Sequence, residues 1–277
     1  MGLQPIEEYA WFDVDENLSS VLAAKRLLLD TQHAEVFSAL PEADAAAFEL
    51  LWLLADHLPR YHKATFQQAG DALINAATDE RWDIAHPALH PLDIAGRLVA
   101  EDLCLLQRSR DQMILAGASL CSPARWLLAE KIGRPVRAIH APVPGYADAL
   151  GAPVDRFLEA LKPGRIFARF NWGIADDPTP FQPVAAPPAT DIAPVNAGET
   201  LWLRVERQTL RRLPETGAIL FAIGTSISLL ADAIETSENA RDLAGAIRAL
   251  PPEMQAYKRI APYTAALLGW LDARVAT

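Results

Sequence analysis

The chain has 277 residues, 51% of them hydrophobic, enough to bury one large core or two smaller ones. A net charge of −10 and an isoelectric point near 5.1 argue against the basic footprint of a nucleic-acid binder. No apolar run approaches the ~18 residues that a membrane span requires.

The stretch from Met1 to Ile6 has no basic-then-apolar signal pattern, and Ile6 stands where myristoylation needs Ser or Thr. A cytoplasmic protein with no membrane and no nucleic-acid partner is expected. The first eighty residues are helical in character and should pack, as a segment 1–80, on a core made by residues 81–277. Leu18 to Leu29 and Glu42 to Leu58 are amphipathic. In the second, Phe48, Leu51, Ala55 and Leu58 share one stripe and Pro59 ends the run. His33, His57 and His62 fall in or beside these helices and read as solvated or capping side chains.

From Arg81 the texture changes. His86 and His90 have a spacing that could bind metal on a helix, but Pro87 and Pro91 break any regular helix there. A helix from Pro91 to about Ala100 leads into Glu101–Leu106, which with Met113–Leu120 forms a hairpin turning near Arg110 and Asp111. The hairpin sets Cys104 opposite a residue near Gly117, leaving Cys121 beyond the ~7 Å Cα reach of a disulfide. Two cysteines so spaced do not make a zinc or iron–sulfur site either, so both read as reduced core thiols. Ser122, Pro123 and Gly133 suit the N-cap, first turn and stop of a helix from Ala124 to Ile132.

Between Arg134 and Tyr146 three prolines, Pro135, Pro142 and Pro144, should hold the backbone extended and stiff. His140 lies in this run between Ile139 and Ala141. It is either a metal ligand, positioned with water excluded, or a core histidine satisfied by a backbone carbonyl. A helix from Val154 to Leu161 and a strand from Ile166 to Ile174 follow. Residues 175–198, rich in proline, alanine and aspartate, read as a linker or lid.

Leu201–Leu210 and Ala218–Ile223 make a second hairpin around Pro214 and Gly217. Period-two alternation puts Leu203, Val205 and Arg207 on one face and Trp202, Arg204 and Glu206 on the other. If the apolar face is buried, Arg207 enters with it and needs an anion: a carboxylate, a cofactor's acid group or a bound reduced oxygen species. Otherwise a β-bulge flips the register and Arg207 is a surface charge. Pro252 suits the first turn of a helix containing Glu253 and Tyr257. Pro262 suits the last helix, striped by Tyr263, Leu267, Trp270 and Leu271. Strands grouped centrally with helices at both ends indicate an α+β fold with a mostly antiparallel sheet. No nucleotide-binding glycine motif is present.

Several blocks, in order, resemble the haem-dependent oxidative N-demethylases. They are Glu101–Leu106; Cys121-Ser122-Pro123 with Trp126 and Glu130–Gly133; Ile139–Gly145; Arg169–Trp172; Leu203–Leu210 with Leu213-Pro214; and Leu250–Met254 with Tyr257-Lys258. The resemblance runs from about residue 45 to the C-terminus. It implies a PAS-like curved antiparallel sheet with helices on its flanks and at both ends. It also implies a haem b monooxygenase that uses dioxygen to convert an N-methylated amine to the shorter amine and formaldehyde. Electrons would come from a separate NADPH-fed flavin/iron–sulfur reductase. His140 would then ligate the iron, with Pro142, Arg169 and Trp172 against the cofactor. Arg207, Glu206, Arg204 and Glu253 would form the catalytic group. One block departs from the family: Ile223-Gly224-Thr225-Ser226 stands where a basic residue and a tyrosine are common. That departure leaves open a haem-binding gas sensor or carrier without turnover.

Overall fold

The computed structural model describes residues 2–275 except 185, 186, 188 and 190. The chain opens with a short strand, β1 (Gln4–Ile6), and a strap over residues 7–13, then helix α1 (Leu18–Thr31). Helix α2 (His33–Val36) runs into β2 (Phe37–Ala39), and α3 (Asp44–Tyr61) into a meander of β3 (Phe66–Ala69), β4 (Ala72–Asn75) and β5 (Glu80–Asp83). Helix α4 (Pro91–Leu98) precedes the first long hairpin, β6 (Asp102–Ser109) and β7 (Gln112–Ser119). One helical turn, α5 (Val136–Ile139), and α6 (Ala152–Ala160) connect it to β8 (Ile166–Ala175). After α7 (Ala197–Thr200) comes the second hairpin, β9 (Trp202–Arg212) and β10 (Ile219–Leu229). Helices α8 (Leu230–Ala233), α9 (Ser237–Arg248), α10 (Pro252–Tyr257) and α11 (Thr264–Val275) complete the chain.

The fold is α+β. Seven strands form one antiparallel sheet in the order β1-β8-β9-β10-β6-β7-β2, and β3-β4-β5 form a second, small sheet. Both long hairpins have the expected turns. Arg110 (φ 53°) reverses the first and Gly217 (φ 71°) the second, where Leu213 N donates to Ala218 O. Register pairs Leu210 with Phe221 and Phe167, and Arg207 with Gly224 and Phe170.

Alternation divides the large sheet into two faces. On one, Leu210, Ile219, Phe221, Cys104 and Phe167 pack with Val136, Ile139 and Leu158 of the segment after β7. This is the cleft face. The other is covered twice. Leu103, Leu105, Leu220 and Ala222 pack against α1, α3 and α4, while Trp172, Ile174 and Leu203 pack against α9 and α11. The buried stripe Tyr263, Leu267, Trp270 and Leu271 forms as expected. Cys104 and Cys121 are free and buried; burial pushes the Cys121 thiol up to about 12 and raises that of Cys104 as well.

Several local expectations are corrected. Residues 1–80 hold α1 and α3, but also β1, β2, β3, β4 and the first residue of β5. The strands there are three or four residues long, too short for alternation to register. Pro59 lies inside α3 and does not end it at once: although it has no N–H for the Ala55 carbonyl, the helix stops only two residues later at Tyr61. Phe48 is exposed because the buried arc centres on Ala47, Leu50, Leu54 and Leu58. The helix expected over 124–132 shrinks to a single 3-10 turn, Leu128–Glu130. The backbone N–H groups of Cys121 and Ser122 donate to the Asp102 carboxylate, both at 2.7 Å, and Arg125 is left-handed (φ 64°), which holds the segment open. The second hairpin runs to Leu229, six residues past Ile223, and the last helix begins after a 3-10 turn at Ala261–Tyr263. No helix among the described residues is long and apolar enough to cross a membrane.

Candidate functional site

The prolines of 134–146 do not keep that run extended. Pro135 instead starts α5, where a proline's missing N–H costs nothing, and His140 ends the turn. His140 Nδ1 lies 2.8 Å from Val136 O, so the ring donates there and presents a lone pair at Nε2. No hydrogen bond to Nε2 is present among the described residues. Burial holds the imidazole below its ordinary pKa. The Val136 bond opposes that shift, and the charges of Lys131 and Arg169 add to it. The ring is therefore neutral at pH 7, aimed, and uncommitted at one nitrogen. Tyr146 stacks on it, with centroids 4.8 Å apart and planes within 13°.

The floor opposite is the cleft face of β8, β9 and β10. Phe221, Ile223, Gln208, Glu206, Arg169 and Asn171 are only half-buried there, although β9 and β10 are interior strands of the sheet. An antiparallel sheet can leave part of one face open to water, and this stretch is such an accessible floor, on the face covered by the segment that carries His140. Glu206 is locked on it by three donors: Gln208 Nε2 at 2.9 Å, Asn171 Nδ2 at 3.2 Å and Arg204 Nε at 3.3 Å. Arg204, 7% exposed, also donates to Ser122 O at 2.5 Å and so ties the floor to the loop after β7. Lys258, just past α10, donates to Trp172 O at 2.6 Å on the edge of β8. Burial lowers its ammonium pKa, which Glu206 opposes and Arg169 reinforces.

Arg169 is the unsatisfied member. Its Nε is buried without a partner, and its guanidinium makes no hydrogen bond or ion pair among the described residues. Tyr146 Oη is likewise buried and unpartnered. A guanidinium half-withdrawn from water with no counter-charge is costly, which marks its surroundings as a seat for an anion.

The structure thus brings together His140, Arg169, Glu206 and Arg204. Four other expected residues lie elsewhere. Pro142 is exposed in the turn after His140, and Glu253 is exposed in the first turn of α10. Trp172 pairs with Val205 and packs toward the C-terminal helices, because it has the opposite parity to Arg169 on β8. Arg207 keeps its strand register, without a bulge, and points away from His140. Its anion is supplied by the N-terminal strap. NH1 donates to Trp11 O at 3.2 Å, NH2 donates to Ala10 O, and Asp13 lies 3.6 Å away. Gly224, opposite Arg207, and Ser226 share that far face. Tyr146 and Lys258 are additions. Tyr146 lies six residues after His140, beyond any helical spacing, and only the left-handed Gly145 (φ 68°) returns it to the ring.

Compared with known protein families, residues 2–268, nearly the whole chain, match the family described as haem-dependent oxidative N-demethylase, alpha subunit-like.

Proposed function

We propose, from the premise that the chain belongs to the haem-dependent oxidative N-demethylase, alpha subunit-like family, that it is a haem b monooxygenase acting on a small methylated amine. The observation that carries this reading is His140: a neutral, carbonyl-anchored imidazole with Nε2 free beside an orphaned guanidinium. A haem needs an axial imidazole, apolar walls and partners for two acid groups. His140 meets the first need, Phe221, Ile223, Leu210 and Ile139 the second, and Arg169 with Lys258 the third. When bound, the haem would supply the dioxygen chemistry that turns an N-methyl group into formaldehyde and the shorter amine.

The remaining work falls to side chains of the cleft. Val136 fixes the ligand's tautomer, as carbonyls commonly do behind metal-binding histidines. Glu206 is the negative group on the floor. Its three donors hold it still, so it can attract a cationic amine and hold or return a proton at its carboxylate. Arg204 orients Glu206, and Arg207 clamps the strap on the opposite side of β9. We leave Pro142, Trp172 and Glu253 out of the reacting set. The overall change consumes two electrons and two protons with each dioxygen, one oxygen atom leaving as water. The sequence carries no flavin, nicotinamide or iron–sulfur signature, so a separate NADPH-fed flavin/iron–sulfur reductase is the expected donor, in the cytoplasm.

The gas-sensor alternative drew on Gly224 and Ser226. Both have the parity of Arg207 and lie on the face turned from His140, so neither removes a group from the cleft. The test is reconstitution with hemin, then incubation with methylated amines, NADPH and a flavin/iron–sulfur reductase. A Soret band and amine-dependent formaldehyde are expected. A Soret band without formaldehyde from any amine would favour the sensor, and no band would sink both.

A further inference from the structure

A hydrogen bond at Nδ1 restrains the turn of an imidazole about its Cβ–Cγ bond, but its angular well is broad and the ring plane can still rock within it. A plane laid against it removes that freedom. Tyr146 provides such a plane, with its ring 13° from parallel to His140 at a 4.8 Å centroid separation. The T-shaped contacts of other histidines, Trp11 on His57 at 83° and Phe37 on His90 at 61°, are edge-on contacts of ordinary packing. Two local devices deliver the stack. Gly145, at φ 68°, turns the chain back after α5, and a π-helical turn over Tyr146–Gly151 carries it on into α6. Packing alone does not account for the side chain. Tyr146 is 5% exposed with an unpartnered hydroxyl, a cost that phenylalanine would have avoided.

We propose that Tyr146 is a positioning residue for His140, its stacked ring fixing the imidazole plane so that Nε2 keeps one heading into the cleft. The assignment rests on reading His140 as the ligand. The two fail separately, because the ring's state can be read in the full-length protein without any cofactor. Imidazole nitrogen–proton NMR, with His140→Ala identifying the His140 signals, should show a single tautomer protonated at Nδ1. Tyr146→Leu and Tyr146→Met, confirmed as folded by their melting curves, should give mixed or exchange-broadened signals. Tyr146→Phe keeps the ring and should restore the single tautomer. With hemin bound, the leucine and methionine variants should lose haem to an acceptor about three- to tenfold faster, the range an aromatic pair is worth. Their electron paramagnetic resonance anisotropy should also shift, while the phenylalanine variant keeps the wild-type spectrum. Unchanged His140 signals in both folded Leu and Met variants would overturn the proposal. Absence of hemin uptake by the wild type would instead overturn the proposed function, with the NMR comparison still deciding the role of Tyr146.

Discussion

An imidazole whose Nδ1 is already engaged with a carbonyl has one nitrogen left to offer, so His140 admits a sharp test. His140→Ala should weaken hemin binding on the order of 100-fold, since loss of a ligand exceeds the 10–100-fold typical of second-shell changes. Far-ultraviolet dichroism should show the fold intact, because α5 is a single half-exposed turn. Glu101 supports a second prediction at this scale. It is 1% exposed, Oε1 accepts from Asp13 N at 2.9 Å, and Oε2 is buried without a partner. Burial pushes its carboxyl up to about 7 from an ordinary value near 4.5. The folded protein therefore binds a proton that the unfolded chain releases, so the contribution of Glu101 to stability falls as pH rises from about 4.5 to about 7. Glu101→Gln should remove that falling contribution, so that the variant's urea midpoint gains relative to wild type as pH rises through this window. A variant that keeps the wild-type slope would remove Glu101 as its cause. Neither environment was legible in sequence. His140 was identifiable by its block, but its two possible readings merge, since the carbonyl that satisfies one nitrogen is also what frees the other.

At the scale of elements, the strap explains the arginine that alternation drew attention to. Parity correctly put Arg207 with Leu203 and Val205 and correctly required a partner for it. What parity could not say is which face of a doubly covered sheet holds the cleft. Its partners lie nearly two hundred residues upstream, on backbone carbonyls that leave no mark in a sequence. Arg207→Ala should cost about 2 kcal/mol, the range of a charged hydrogen bond lost at a half-buried site. Denaturant melts should show the loss, with hemin uptake essentially unchanged. If haem uptake falls instead while stability holds, Arg207 belongs to the cofactor site. Hairpins were readable because alternation and turn residues agree over eight or more positions. The loop over 121–135 was misread because a single buried acid, Asp102, overrides a respectable helix signature.

For the molecule as a whole, two buried groups of opposite tendency shape the response to pH. His57 is 2% exposed beneath Trp11 and Phe12, and neither ring nitrogen makes a hydrogen bond, Nδ1 lying 3.7 Å from Glu8 Oε1. Burial, helped by the charges of His62, Arg211 and Arg60, lowers its pKa to about 3. Protons then favour the unfolded chain, so this contribution to stability is lost as pH falls from about 6.5 toward 3. Glu101 acts in the reverse sense above about 4.5, so between about 4.5 and 6.5 the two oppose each other. A shallow wild-type profile is expected there. His57→Phe should unmask the Glu101 slope, with stability falling monotonically as pH rises across that window. A flat profile in the variant would mean that some other group balances Glu101. The α+β class and the antiparallel sheet were open to sequence reading, whereas the placement of the covers on its two faces depends on long-range contacts.

The attachment of the first residues also sets a timetable. Gln4 pairs with Ala168, Arg211 lies over the Trp11 ring at 4.0 Å, and Glu8 bonds Arg211. During synthesis Ala168 emerges only after more than half of the 277 residues, and Arg211 only after about three-quarters of them. Trp11 and Phe12, both sealed in the finished core, can meet His57 of α3 early, but Arg211 of β9 closes over Trp11 only much later. Contacts of such sequence separation form late and slowly. The segment from β1 through the strap is thus among the last to reach its final contacts, and its two aromatics stay only partly covered until β9 arrives.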